Sequence, residues 1–360
     1  MPSRRAIHGG ASLDLEELIG LAIPVCRDAG HSCPRTGRRG RKPQYDDWKI
    51  AVMILCGVLK KKKSKSAQYR LICHHQDMFQ RLLNLERLPS RSTFFDRYKK
   101  DLHTLISKAI QLQGRSLLKQ HVTRAKLVAA DKSLLRARGP EWNTKDRKRN
   151  HIPNRLHGVD RDADWGKSDY HGWVYGYSFE VAVSATRNST VLPLLASVGV
   201  ASASEHKTFP PKIDQLPRST REVLADPGYD SNDTADRVEL NRRNQRPSGR
   251  HFVCPPQKGF VSSIPEKGHR ERQRQRRVKR LARLRSPRGR KVYARRKQTV
   301  EPFNGTFKAM FELEDHVWHR GLDNNRTQVL TAIFAYQLLV RAHWMHGGRD
   351  AQVQYILDQL

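Results

Sequence analysis

The chain predicts an α/β fold: a mixed five-stranded sheet flanked by helices, preceded by an all-helical N-terminal domain. Three observations carry this prediction. Five short runs beyond residue 120 are apolar or alternating and are bounded by turn formers. Stretches with helical spacing separate the later runs, which makes the sheet mixed and helix-covered. Before residue 120 the apolar residues recur at helical spacings.

Residues 1–43 show weak periodicity and read as a flexible segment. A short helix fits Leu13 to Val25, with Pro24 near its end, and Arg35 to Lys42 is a basic, glycine-containing tether. Residues 44–120 form the helical domain. Asp46 or Asp47 caps a helix whose apolar positions are Trp48, Ile50, Ala51, Ile54, Leu55 and Val58. A second helix starts at Ser64 or Ser66 and carries Tyr69, Leu71, Ile72, Met78 and Phe79. A third begins at Ser92 or Thr93, after Leu88-Pro89-Ser90, and carries Phe94, Phe95, Tyr98, Leu102, Leu105 and Ile106. Short helices with polar turns fit two arrangements. One is a helix-turn-helix-like DNA reader in which Arg91, Arg97, Lys99 and Lys100 face phosphates. The other is an ordinary bundle with a solvated basic face.

Residues 121–345 hold the sheet. Lys126 to Ala130 is an apolar strand that ends in Asp131, and a polar, irregular stretch follows from Arg136 to Asp169. Trp173 to Val183 alternates, and Val191 to Val200 returns across Thr186-Arg187-Asn188-Ser189, completing a hairpin. A helix starts at Ser204-Glu205-His206-Lys207 and runs to Leu216. Val223-Leu224-Ala225 is a short buried strand stopped at once by Pro227-Gly228, so Asp226 sits at its carboxyl end. A helix over Asn232 to Arg243 and a last strand, Phe252-Val253-Cys254, come next. Residues 257–290 are a basic insertion. The run Lys291 to Leu313 is helix-like, with Tyr293, Val300, Phe303, Phe307, Met310 and Phe311 facing a core. Pro302 conflicts with it, costing roughly 3 kcal/mol inside a helix. Either the helix bends there or it begins near Val300. Val329 to Trp344 reads as a core helix, and residues 346–360 as a tail.

Charge narrows the function. The 360 residues carry a net +33, so a polyanion is the expected partner. From Lys258 to Lys297 there are seventeen Lys and Arg against two acids, Glu266 and Glu271. This block holds few aromatics, which fits a DNA-backbone clamp better than a single-strand stacking platform. The five cysteines are scattered and odd in number, which fits a reducing, cytoplasmic compartment. Cys26, His31 and Cys33 lack the spacing of common zinc sites. No secretory signal is visible, and the longest apolar run is too short to span a bilayer, so no membrane partner is expected.

The candidate site is a set of carboxylates. Asp131 and Asp226 end two strands and Glu301 lies on a helix. Three acids far apart in sequence suit a divalent-metal site if the fold gathers them. Taken singly each has a plainer role: Asp226 before Pro-Gly as a turn former, Asp131 as a cap, Glu301 as a partner of a nearby arginine. Glu205 and His206 fall at a strand-to-helix turn, near the site or as a simple cap. Asp160, Asp162 and Asp164 fit solvation or arginine pairing better than metal binding.

In order along the chain, these motifs resemble the bacterial insertion-sequence transposases of the group that includes insertion sequences four and five. Leu88 to Arg97 resembles that group's helical domain. Ala129-Ala130-Asp131-Lys132-Ser133 resembles its first catalytic strand, and Gly172 to Tyr177 its second-strand signature. Ala225 to Ser231 resembles the motif around the second aspartate. Val300-Glu301-Pro302-Phe303 with Lys308 resembles the glutamate helix and keeps its Glu-to-Lys spacing. The family often has Arg four residues before the Glu, Tyr seven before and a basic residue after. Here Lys297 stands four before, Tyr293 eight before and Pro302 after. The resemblance implies an RNase H-like DDE domain, metal-dependent phosphodiester cleavage and strand transfer, and a homodimer on double-stranded DNA. It implies Asp131, Asp226 and Glu301 as catalytic residues holding two Mg2+ ions, for which Mn2+ substitutes. Lys308, with Lys297 or Arg296, would hold terminal phosphates. A decayed or domesticated DNA-binding protein without catalysis, and a nuclease of the same fold, are the alternative readings.

Overall fold

The computed structural model describes residues 14–33, 44–99, 102–168, 172–241, 244, 246–257 and 269–360. The tether Arg35 to Lys42, Lys100, and the part of the basic insertion from Lys258 to Gly268 lie outside them.

Within the segment expected to be flexible, α1 (Leu15–Ser32) is an 18-residue helix that continues through Pro24. Asp14 caps it by accepting from the Glu17 amide at 2.7 Å, and Leu18, Ile19, Ala22, Cys26 and Ala29 are buried. The apolar stripe outweighs the missing hydrogen bond at one proline. Then come α2 (Asp47–Leu59), α3 (Lys65–His74), α4 (Gln76–Leu83), α5 (Arg91–Lys99) and α6 (Leu102–Lys119). The second expected helix is therefore two, broken at His75.

The sheet strands are β1 (Leu127–Arg136), β2 (Asp164–Ser168), β3 (Gly172–Ser184), β4 (Pro193–Val200), β5 (Glu222–Leu224) and β6 (His251–Val253). All five expected strands form. The sixth, β2, arises in the stretch expected to be irregular, pairing antiparallel with the start of β3. The order is β2-β3-β1-β5-β6, with β4 on the β3 edge beyond β2. β3 is antiparallel to β1, while β5 and β6 run parallel to it. This is the mixed, RNase H-like arrangement that the resemblance implied.

Around the sheet lie α7 (Thr144–Lys148), α8 (Glu205–Thr208), α9 (Asn232–Glu239), α10 (His269–Arg285), α11 (Pro287–Met310), α12 (Leu322–Met345) and α13 (Gln354–Gln359). The helix expected to run to Leu216 is only α8 followed by a 3-10 turn, because Pro210-Pro211 removes two donors. α9 stops at Glu239, short of Arg243. The described part of the basic block is helical, α10. Residues 346–360 are not a loose tail, since Val353, Ile356 and Leu357 are buried.

α12 is buried along nearly its whole length and packs on α6, α2 and β4. α6 packs on β4 as well, so the N-terminal helices and the sheet share one apolar core. Gln337, in the middle of α12, donates to the carbonyls of Ile110 and Pro193 at 3.0 and 2.7 Å. That satisfies the buried amide nitrogen, while the Gln337 Oε1 has no hydrogen-bond partner.

α11 runs unbroken through Pro302, so it neither begins near Val300 nor ends there. It starts at Ser286, which accepts from the Gly289 amide at 3.0 Å, with Pro287 in the first turn. A Cβ on Gly289 would lie 1.9 Å from the Arg283 carbonyl oxygen, so the tight α10–α11 turn requires glycine. Further along, Phe307 packs 5.2 Å from Phe179 of β3 and 5.7 Å from Phe303, which meets Tyr336 of α12 at 5.2 Å. These rings fix the rotation of α11 over the sheet. Phe307→Ala should therefore cost about 3–5 kcal/mol of stability, read from the urea-unfolding midpoint. An unchanged midpoint would refute this packing role.

Candidate active site

The site begins with the parallel pairing of β1 and β5. Leu127, Val128 and Ala129 lie opposite Glu222, Val223 and Leu224. Continuing that register by two residues sets Asp131 beside Asp226. β5 ends because Pro227 follows, and the Asp226 side chain turns back to accept from the Gly228 amide at 3.0 Å. The Asp226 carbonyl accepts from the Cys254 thiol at 2.9 Å, tying this turn to the end of β6.

α11 brings the third carboxylate. Arg296, Glu301, Asn304 and Lys308 fall within one side of the helix, at about 100° per residue. Arg296 Nη2 lies 2.5 Å from Asp131 Oδ1 and 3.5 Å from Asp226 Oδ2, and its Nη1 lies 3.5 Å from Glu301 Oε1. One guanidinium thus touches all three predicted carboxylates. Asn304 Nδ2 donates to the other Asp131 oxygen at 2.8 Å. Lys308 Nζ donates to the Leu134 carbonyl at 2.9 Å. Asp131 and Arg296 are each only 7% exposed, whereas the Glu301 side chain is 51% exposed, so the site opens to solvent on the Glu301 side.

The electrostatics follow from burial. Burial pushes the Asp131 carboxyl up to about 6, against the pull of Arg296, and the Asp226 and Glu301 carboxylates add to the rise. Asp226 is also raised by burial, opposed by Arg296 and reinforced by Glu205. Burial lowers Lys308. Glu205, at the start of α8, pairs with Lys132 at 3.1 Å, and a Cβ on Gly228 would come 3.1 Å from Asp226 Oδ1 and 3.4 Å from Glu205 Oε2. Glycine at 228 leaves room where these two carboxylates approach.

As the side chains stand, no group of three or more His, Cys, Asp or Glu among the described residues is spaced to hold a metal ion. The donor chemistry nonetheless fits a hard divalent cation, because three carboxylates converge on one positive centre. That centre is the guanidinium of Arg296.

The sequence profile of the transposase DDE domain matches residues 123–338. The chain belongs to this family. The matched DDE domain contains β1 through β6 and all three carboxylates. Among solved structures, the chain is similar to a piggyBac transposase in a synaptic complex with hairpin DNA, with a TM-score of 0.39 and 11% identity. The match covers 95% of this chain and 76% of that one. No curated protein matches.

The other expected residues are spread more widely. Arg296, assigned from sequence to a terminal phosphate, is committed to the carboxylates, while Lys297 beside it is exposed. Arg91 is exposed, with its guanidinium over the Phe95 ring and one donor on Ser66. Arg97 is tied to Asp47 at 3.0 Å, and Lys99 is exposed. Asp160, Asp162 and Asp164 are structural. Asp160 accepts from Tyr177 and from the Gly321 amide, Asp162 accepts from the Leu322 amide at the start of α12, and Asp164 pairs with Arg147. Asp230, which sequence reads as a turn residue, forms a buried pair with Arg277 at 2.6 Å.

Asn304 was not singled out from the sequence. Its position one turn beyond Glu301 on the same helix was the available signal. The raised Asp131 carboxyl also makes a pH prediction. An acid raised on folding stabilises the protein fully below its ordinary value, and that contribution is lost as pH climbs through the raised one. With Asp131 moved from 3.8 to about 6, wild type should lose about 2.5 kcal/mol relative to Asp131→Asn between pH 4 and pH 8. Urea midpoints of both proteins, in chelator, test it, and a constant difference across pH would exclude it.

Proposed function

We propose that this chain is an active DNA transposase that cleaves phosphodiester bonds and transfers strands at the ends of an insertion sequence. The observation that supports this reading is the convergence of Asp131, Asp226 and Glu301, from two strand ends and a helix, on a single cation. These three residues would hold two Mg2+ ions. Bound divalent ions supply charge stabilisation to the attacking and leaving oxygens of in-line displacement at phosphorus.

The chain's own residues do the rest. Asn304 holds one Asp131 oxygen at 2.8 Å, which orients the carboxylate. The rings of Phe303 and Phe307 keep Glu301 at the open edge of the site. Lys297 and Lys308 place positive charge along the helix where a scissile phosphate would approach. The solvent face of α10, with Arg272, Lys279 and Arg285 exposed, extends that charge, and Arg288 and Arg290 continue it on α11. Arg91 and Lys99 offer a second basic surface on α5. The partner in this reading is double-stranded DNA, both element ends and target, engaged by a homodimer.

Incubating the protein with Mg2+ and DNA bearing the element's ends tests the reading. Asp226→Asn should cut at a rate about a hundredfold or more below wild type, the loss of several kcal/mol of metal stabilisation. Full cleavage by that variant would remove the site assignment. DNA binding with no Mg2+-dependent nicking would favour a decayed or domesticated binding protein, and nicking without joining would favour a nuclease of the same fold. Affinity should also fall steeply with salt. Lys297→Ala should weaken binding to all sequences alike and reduce the log–log salt slope by about 1. An unchanged slope would take Lys297 off the phosphate path.

A further inference from the structure

Arg296 stands where a metal-dependent site would need its ions. Among the described residues it alone touches Asp131, Asp226 and Glu301 together. No backbone carbonyl and no other described side chain accepts from its guanidinium, and its buried Nε has no hydrogen-bond partner. The polar contacts of the side chain are therefore those with the three carboxylates, and its remaining hold is burial beside Tyr293. The other Asp131 oxygen is held separately, by the Asn304 amide at 2.8 Å.

We propose that Arg296 is the site's own counter-ion, and that the guanidinium and divalent ions compete for the same three carboxylates. Metal uptake is then a cation exchange in which Arg296 leaves the carboxylates. The inference rests on the reading that these carboxylates hold metal. Two arguments support it. Three partly buried carboxylates repel one another strongly, and one guanidinium offsets a single charge of the three, so the resting site still attracts cations. Once divalent ions enter, the guanidinium becomes a like charge at short range. Like charges that close repel strongly in a half-buried site, and more so when one of them is double. Both cations cannot keep the same oxygens. An arginine side chain has the rotamer freedom to withdraw, and the exposed Glu301 edge gives it a way out.

The test is a calorimetric titration of the full chain with Mn2+ at pH 8, without DNA. Wild type, Arg296→Gln, Arg296→Lys and Asp226→Asn are compared. If the metal-ready arrangement is a minor state in wild type, apparent affinity is reduced by its population. Arg296→Gln should then bind Mn2+ about tenfold or more tightly than wild type, and Arg296→Lys should fall between them, since an ammonium cannot span three carboxylates. Equal or weaker binding by folded Arg296→Gln overturns the exchange. If Arg296→Gln melts cooperatively only with Mn2+ present, the metal has replaced the missing cation, as expected. If it never folds, Arg296→Lys decides: tighter binding than wild type supports the exchange, and equal or weaker binding overturns it. Absence of Mn2+ binding in every protein, or unchanged binding by Asp226→Asn, would instead sink the metal reading itself and this inference with it.

Discussion

Carboxylates that share a half-buried site need a cation among them, and that requirement governs how this protein is built. Asp131 is nearly inaccessible, and its carboxyl is raised even with Arg296 in contact. Without a counter-charge the three acids would either protonate or move apart. The guanidinium, anchored through α11, lets β1, the β5 turn and α11 meet without that penalty. The site is thus an electrostatic joint between sheet and helix.

The joint works because apolar packing sets its geometry first. β1 is central, with β3 on one side and β5 on the other, so Asp131 has little freedom. The parallel register with β5 places Asp226 next to it, and Pro227 ends the strand there. α11 is held from two directions, by Phe307 on the sheet and Phe303 on α12. Together these contacts set which side of α11 faces the strand ends. Arg296, Asn304 and Lys308 lie on that side, while Glu301 stands at its solvent edge. Dispersion and burial position the helix, and the charges complete an arrangement that packing has already defined.

The high positive charge is also divided by function. On α10, Arg276 pairs with Asp236, Arg277 with Asp230, and Arg280 and Arg283 with Glu239. These arginines dock the helix on α9 and the β5 turn. Read as a single run, the basic block suggested a DNA clamp throughout. In the folded chain about half of the helix is structural, and only its solvent face stays available to a polyanion. No helix among the described residues is long and apolar enough to cross a membrane.

Much of this was legible in the order of residues. Strand ends at Asp131 and Asp226, the amphipathic run through Glu301 and the central position of α12 follow from local patterns, because side-chain periodicity and turn chemistry are local properties. The strand β2 was not legible, since its residues are polar and it forms only by pairing with β3. Nor was the packed α1, whose proline suggested an early stop but whose apolar face is buried against α2 and α6. The amino-acid sequence by itself determined the fold class, the carboxylate candidates and the attraction to a polyanion. Only the tertiary structure decided that Arg296 sits among those carboxylates, that Asn304 holds Asp131, and which arginines of α10 remain open. Each of those depends on partners more than a hundred residues apart or on neighbouring elements, and the pairing of distant charges is set by packing rather than by any local pattern.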